Sequence, residues 1–116
     1  MDSVVLDKSK AFALRIVRLN QYLCAEKQEY VMSKQILRSG TSIGANLAES
    51  EYAISRKEFL SKVYISLKEC AETKYWLELL HEAGYLDATA FESIVYDCVE
   101  LLKILTAITK TIKENP

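Results

Sequence analysis

The side chains best placed to do chemistry lie on one stretch of the chain, from Gln35 to Glu49. Gln35, Ser42, Asn46 and Glu49 recur at spacings of three, four and seven. On a helix they form one strip, flanked by Arg38 and Ser39. A later segment offers Lys62, Glu69, Glu72 and Thr73 at matching spacing. Where such groups are half-buried between helices they must satisfy one another, because an unpaired buried charge or amide costs several kcal/mol. The plainest reading is a polar network that fixes the register of two packed helices. An anion site or a partner-binding strip is the second reading, and catalysis the third.

Catalytic and metal chemistry find little else to work with. His81 is the one histidine, near the end of a predicted helix, where a cation complements the helix dipole. No Ser or Cys nucleophile stands in a recognisable context beside it. Glu78-Leu79-Leu80-His81 has the E-x-x-H form found in di-iron bundles, but those need the motif on two helices and here it occurs once. Cys24, Cys70 and Cys98 are widely spaced, so no paired-cysteine zinc motif exists, and each falls among apolar residues as a reduced thiol does when it serves as a small hydrophobe. No metal, cofactor or small-molecule substrate is expected. Tyr64, Tyr75, Trp76 and Tyr85 could stack bases, but without an interleaved basic face they read as packing residues.

Helices must position these groups. Three glycines and a single proline, the last residue, leave few breaks in the chain. Leu6, Phe12, Ala13, Ile16, Val17, Leu19 and Leu23 make an apolar stripe over about Val4–Glu26, with a turn at Lys27–Val31. A second helix is predicted from an N-cap at Ser33 to about Ala53. Propensity alone would make Arg38–Asn46 a loop. Period overrides it: Ile36, Ile43, Leu47 and Ile54 fall within about 40° of one another at 100° per residue, with Gly40 beside them. The glycines then mark the close approach of a neighbouring helix. A third helix opens on the capping box Ser55-x-x-Glu58, runs to about Glu82 and stops at Gly84. The fourth opens at Asp87 or at Thr89, the latter with Glu92 as a second capping box, and continues through Phe91, Ile94, Cys98, Leu101, Leu105 and Ile112. Short connections force antiparallel neighbours, so residues 1–116 are predicted to form one all-α domain, an antiparallel up-and-down four-helix bundle.

Lys and Arg total 15 against 16 Asp and Glu, which removes any global field for nucleic acid or membrane. The balance is uneven along the chain. Residues 1–65 hold 10 basic and 7 acidic side chains, residues 66–116 hold 5 and 9. No apolar run has the length of a membrane span, and the start Met1-Asp2-Ser3 has no export-signal character, so a cytoplasmic protein is expected.

The block Ser33-x-Gln35-x-x-Arg38-Ser39-Gly40-Thr41-Ser42-Ile43-Gly44-Ala45-Asn46-x-x-Glu49 resembles the signature of the "four helix bundle protein" family. These are small bacterial proteins that include those encoded by intervening sequences within large-subunit ribosomal RNA genes. Ser55-x-x-Glu58-Phe59-x-x-Lys62 and Lys68-Glu69-x-x-Glu72-Thr73-x-Tyr75-Trp76-Leu77 match as well, as does the Phe12–Val17 region. The resemblance implies a left-handed bundle that assembles as a ring-shaped homopentamer. A related branch, the accessory variability protein of diversity-generating retroelements, is strongly basic and binds nucleic acid; this chain, at a formal charge of −1, departs from it. The family brings no catalytic residues to carry over.

Two functional classes follow. The first is a non-enzymatic, homo-oligomeric assembly or interaction protein, favoured also because the second and third helices look apolar over more than one face. The second is a nucleic-acid-associated factor that would use Arg15, Arg18, Arg56 and Lys57 if assembly gathers them on a rim.

Overall fold

The computed structural model describes residues 3–114. They form four α-helices: α1 (Ser3–Lys27), α2 (Met32–Ser50), α3 (Arg56–Glu82) and α4 (Ala88–Glu114). Each packs on its neighbours in cyclic order, α1 on α2, α2 on α3, α3 on α4 and α4 back on α1, and among the described residues the backbones of diagonal pairs do not approach closely. The α1–α4 seam is the sparsest. Alternation of direction through the short connections 28–31, 51–55 and 83–87 gives an up-and-down bundle of 46 × 21 × 20 Å, a little longer than the roughly 40 Å of a single 27-residue helix. Among the described residues no helix is long and apolar enough to cross a membrane.

The core follows the predicted stripes closely. Phe12, Ile16, Leu19 and Leu23 of α1, Ile36, Ile43 and Leu47 of α2, Val63, Cys70, Leu77 and Leu80 of α3, and Ile94, Cys98, Leu101 and Leu105 of α4 are all buried. On α1 the stripe is rotated slightly from expectation: Val5 and Ser9 are buried, while Leu6 packs at its edge. The Gly-containing run is helical throughout. Gly40 is buried against α1, and a Cβ placed on it would stand 2.7 Å and 2.8 Å from Cγ1 and Cγ2 of Ile16. One turn on, a Cβ at Gly44 would meet Ser9 Oγ at 3.2 Å and the Ser9 carbonyl at 3.5 Å. The two glycines are thus the floor on which α1 lies.

The helix ends correct the sequence reading in two places. Ser33 is not the cap of α2: it lies inside the helix, buried, and the capping acceptor is the carboxylate of Glu29. Glu29 Oε1 accepts the Ser33 N–H at 2.8 Å and Oε2 accepts the Val31 N–H at 3.2 Å, while its backbone carbonyl accepts the Ser33 hydroxyl at 2.7 Å. A carboxylate suits this place, since it meets both orphan N–H groups and the positive end of the dipole. Second, α2 stops at Ser50 and not at Ala53, so Ile54 leaves the stripe and stands 93% exposed. Of the two starts read for α4, the structure takes Asp87, whose Oδ1 accepts the Ala90 N–H at 2.8 Å, and Thr89 lies inside the helix.

Two ends form as the sequence requires. Ser55 adopts an extended conformation and its hydroxyl accepts the Glu58 N–H at 3.0 Å; the Glu58 carboxylate reaches back to the N–H of Ile54, one residue beyond the usual box. Gly84 takes φ +89°, with the Gly84 N–H bonded to His81 O and the Tyr85 N–H to Leu80 O, the paired bonds of a Schellman stop.

Gly40 sets the α1–α2 spacing, which makes its substitution informative. Gly40→Ala is expected to destabilise the chain by about 1–3 kcal/mol, because overpacking against branched Ile16 outweighs the better helix propensity of alanine. Urea unfolding measures it. In the double variant with Ile16→Ala the two losses should fall short of additivity by about 1 kcal/mol or more. Full stability of Gly40→Ala alone would remove Gly40 as the spacing constraint.

Candidate functional site

Helices α2 and α3 bring the predicted polar residues to one seam, where they separate into a buried layer and an outer rim. In the buried layer, the Thr73 hydroxyl lies 2.9 Å from Ser39 Oγ and 2.8 Å from the Glu69 carbonyl, and Ser39 Oγ reaches the Ile36 carbonyl at 3.5 Å. Ser66, also buried, donates its hydroxyl to the Ile43 carbonyl at 2.9 Å, tying α3 to the backbone of α2. No buried side-chain nitrogen or oxygen among the described residues lacks a partner.

The rim is built on Arg38. Its guanidinium bridges two carboxylates one turn apart on α3, donating through Nη1 to Glu69 at 3.1 Å and through Nη2 to Glu72. Glu72 also accepts the indole N–H of Trp76 at 2.9 Å, and Gln35 accepts from Arg38 Nε at 3.4 Å. Nearer the α2–α3 turn, Lys62 pairs with Glu49 at 3.0 Å. The guanidinium is about half exposed, so solvent screens this rim and its contribution to stability is of surface-pair size, about 0–1 kcal/mol per pair. A planar fork that spans two carboxylates fixes geometry more than it adds energy.

Ser42 and Asn46 do not cross the seam. Ser42 Oγ donates to the Arg38 carbonyl at 2.6 Å and Asn46 Nδ2 to the Ser42 carbonyl at 2.8 Å, both within α2. Such back-bonding is how small polar side chains are accommodated mid-helix.

The four candidate nucleic-acid contacts fall in two separate places. Arg15 and Arg18 lie on α1 beside α4, lining a groove of about 600 Å³ whose floor includes Leu19, Leu86 and Ile94. There Arg15 is engaged: Nη1 donates to Asp97 at 2.7 Å and to the Ser93 carbonyl at 3.2 Å. Arg56 and Lys57 open α3, diagonal to α1, around a shallow hollow shared with Leu60, Ile112 and Lys113. Lys113 sits 4.6 Å over the ring of Tyr64 and donates to its hydroxyl at 2.8 Å. That hydrogen bond and charge hold the Tyr64 phenol below its ordinary range.

His81 has a local task. Its Nδ1 lies 2.9 Å from the Leu86 carbonyl and so carries the proton, and its ring stacks on Phe91 at 4.3 Å, clasping the α3–α4 turn. Glu78 pairs within its helix with Lys74. Among the described residues no three His, Cys, Asp or Glu side chains gather as a metal ion would need. Two features were missed from the sequence. One is Glu29, which an acidic residue four before a helical serine could have signalled. The other is the facing pair Cys70 and Cys98, which only packing reveals.

The split between crossing and local bonds yields a contrast. Thr73→Val removes the hydroxyl that answers Ser39 in the buried layer and should cost about 1–3 kcal/mol. Asn46→Leu, whose amide bonds only its own helix, should keep helicity and stay within about 1 kcal/mol of the parent. Thermal unfolding followed by circular dichroism reads both, and equal losses would contradict the separation into layers.

The comparisons with known proteins agree with this architecture. A crystal structure of a protein of unknown function from the S23 ribosomal protein family of Bacteroides thetaiotaomicron VPI-5482 superposes with a TM-score of 0.90 at 55% sequence identity, covering 91% of this chain and 98% of that one. No curated protein matches the chain. The 23S rRNA-intervening sequence protein family matches residues 1–107, nearly the whole bundle, and the chain belongs to that family.

Proposed function

We propose that the protein is a non-enzymatic, self-associating helical module, and that the outer face of α1 and α2 is where copies meet. The observation that carries this is a groove of about 560 Å³ between those helices, lined by Leu6, Ala13, Thr41, Gly44, Ala45, Ala48 and Tyr52 among others. Small residues on α2 keep the groove shallow and smooth, as a docked helix needs. Tyr52 at its end is 86% exposed, and Ala45 and Ala48 on α2 are exposed. Apolar side chains clustered in this way mark interaction surfaces on soluble proteins. The charges lining the groove, Asp7, Lys10 and Glu51, sum to −1, so identical copies meet there without strong repulsion. The stoichiometry in this proposal is the five-membered ring implied by the family resemblance.

Analytical ultracentrifugation tests it. The parent chain should sediment as one species of about five times the 13.2 kDa chain mass. Ala48→Glu, which places a charge in the groove at an exposed position, should give a helical monomer. A parent chain that is monomeric at micromolar concentration would falsify the proposal, and an oligomer indifferent to Ala48→Glu would move the contact to another face.

A second reading, a nucleic-acid-associated factor, is favoured by one corner of the bundle. Arg56, Lys57 and Lys113 converge there with the Tyr64 ring beside them, a combination of cations and an aromatic that suits a single-stranded backbone. Binding to a labelled oligonucleotide should then weaken steeply between 50 and 200 mM salt, roughly tenfold or more for a few phosphate contacts. Lys57→Gln should flatten that dependence. Absence of binding at low salt removes this reading.

A further inference from the structure

Cys70 and Cys98 face each other across the α3–α4 seam, both wholly buried. Their sulfurs are 3.9 Å apart. Each thiol also reaches the other residue's backbone, Cys70 Sγ to the Cys98 carbonyl at 3.4 Å and Cys98 Sγ to the Cys70 carbonyl at 3.5 Å. This reciprocity means that the two residues are directly opposed and not staggered by a helical turn. Closing van der Waals contact to a covalent S–S distance of about 2.05 Å takes a movement of roughly 2 Å, within reach of side-chain rotation and a small helix shift. Cys24, the third thiol, is bonded instead to the Glu29 carbonyl and Ser33 Oγ in the α1–α2 corner.

We propose that Cys70 and Cys98 form a reversible disulfide that staples α3 to α4 under sustained exposure to a small-molecule disulfide oxidant. One cysteine, as thiolate, attacks a sulfur of the oxidant; a mixed disulfide forms and one oxidant thiolate leaves. The other cysteine loses its proton and attacks the protein sulfur of that mixed disulfide, closing the intramolecular S–S bond and releasing the second oxidant thiol. Two electrons and two protons pass from the dithiol to the oxidant, which is reduced to two thiols.

Burial decides when this happens. The hydrogen bond that Cys98 donates to Cys70 and the apolar surroundings push the Cys98 thiol far above its ordinary range, so the closed bundle holds it protonated and inert. Reaction waits for α3 and α4 to part transiently. The same burial then shields the disulfide from reductants, so the staple responds to persistent oxidation and ignores brief exposure.

The bond would close a loop between positions 28 apart in sequence, and chain-entropy reasoning puts the gain at a thermal shift of about 10 °C. The experiment incubates the full chain and its Cys24→Ser variant with oxidised glutathione, a few degrees below the unfolding midpoint. Denaturation, alkylation and intact-mass and peptide mapping follow. The expected result is a chain two hydrogens lighter with a peptide linking Cys70 to Cys98, a midpoint raised by about 10 °C, and reversal by dithiothreitol. Cys98→Ala should abolish both the link and the shift. Should that variant fail to fold, mapping in the Cys24→Ser chain decides alone, since it keeps both native thiols. Full alkylation of Cys70 and Cys98 after oxidation, or links only between copies, overturns the proposal.

Discussion

The approach of α1 to α2 at Gly40 is the constraint on which the other contacts depend. Ile16 occupies the space where any other residue would carry its Cβ, and Gly44 extends the same opening toward Ser9 one turn away. Bringing two helices this close fixes the rotation of α2 about its axis. Once that rotation is set, Ile43 and Leu47 must face inward, Ser39 must meet Thr73, and Arg38 must emerge at the α3 rim. A wider α1–α2 spacing would turn α2 and carry the whole polar strip out of reach of α3.

The four seams solve the packing problem with different chemistry. The α1–α2 seam uses absent side chains, and the α2–α3 seam a buried hydroxyl pair with an arginine fork outside it. The α3–α4 seam places two thiols face to face, clasped at one end by His81 on Phe91. The α1–α4 seam joins the chain's first and last helices without a turn between them. It is the sparsest and is spanned by long side chains: Lys8 to Glu100 at 3.0 Å, Arg15 to Asp97 at 2.7 Å. Long polar side chains bridge a gap that short apolar ones cannot fill. The groove beside Arg18 is the part of that gap left open.

What was legible in the sequence was periodic or local. The apolar period read Arg38–Asn46 as helix against its propensity, because tertiary packing overrides propensity where small residues admit a neighbour. Ser55 and Gly84 declared themselves, since a cap and a left-handed stop depend on residues a few positions apart. Ser33 misled because a serine before an apolar run is ambiguous until the chain direction into the helix is known; the entering segment placed Glu29 over the helix end instead. Ile54 had the right period, yet α2 had already ended at Ser50. Within the polar strip, spacing grouped Ser42 and Asn46 with Arg38 and Ser39, but whether a short polar side chain crosses a seam or folds back on its own helix turns on a single χ1 rotation. Sequence period carries no information about that choice.

The uneven charge of the chain gains a structural meaning from the same seams. The excess of cations in residues 1–65 and of carboxylates in residues 66–116 reads at first as a polarity of the surface. Part of it is instead internal complementarity: Lys8, Arg15 and Arg38, all on α1 and α2, reach Glu100, Asp97, Glu69 and Glu72, all on α3 and α4. Each of these pairs is partly exposed and weak by itself, and together they favour the first helical hairpin meeting the second, although Lys62 of α3 to Glu49 of α2 runs in the opposite sense. Cations engaged in this way are less available to phosphates. The α1–α2 groove, by contrast, has exposed small residues, Ala45 and Ala48, at its α2 edge where the seams carry ion pairs.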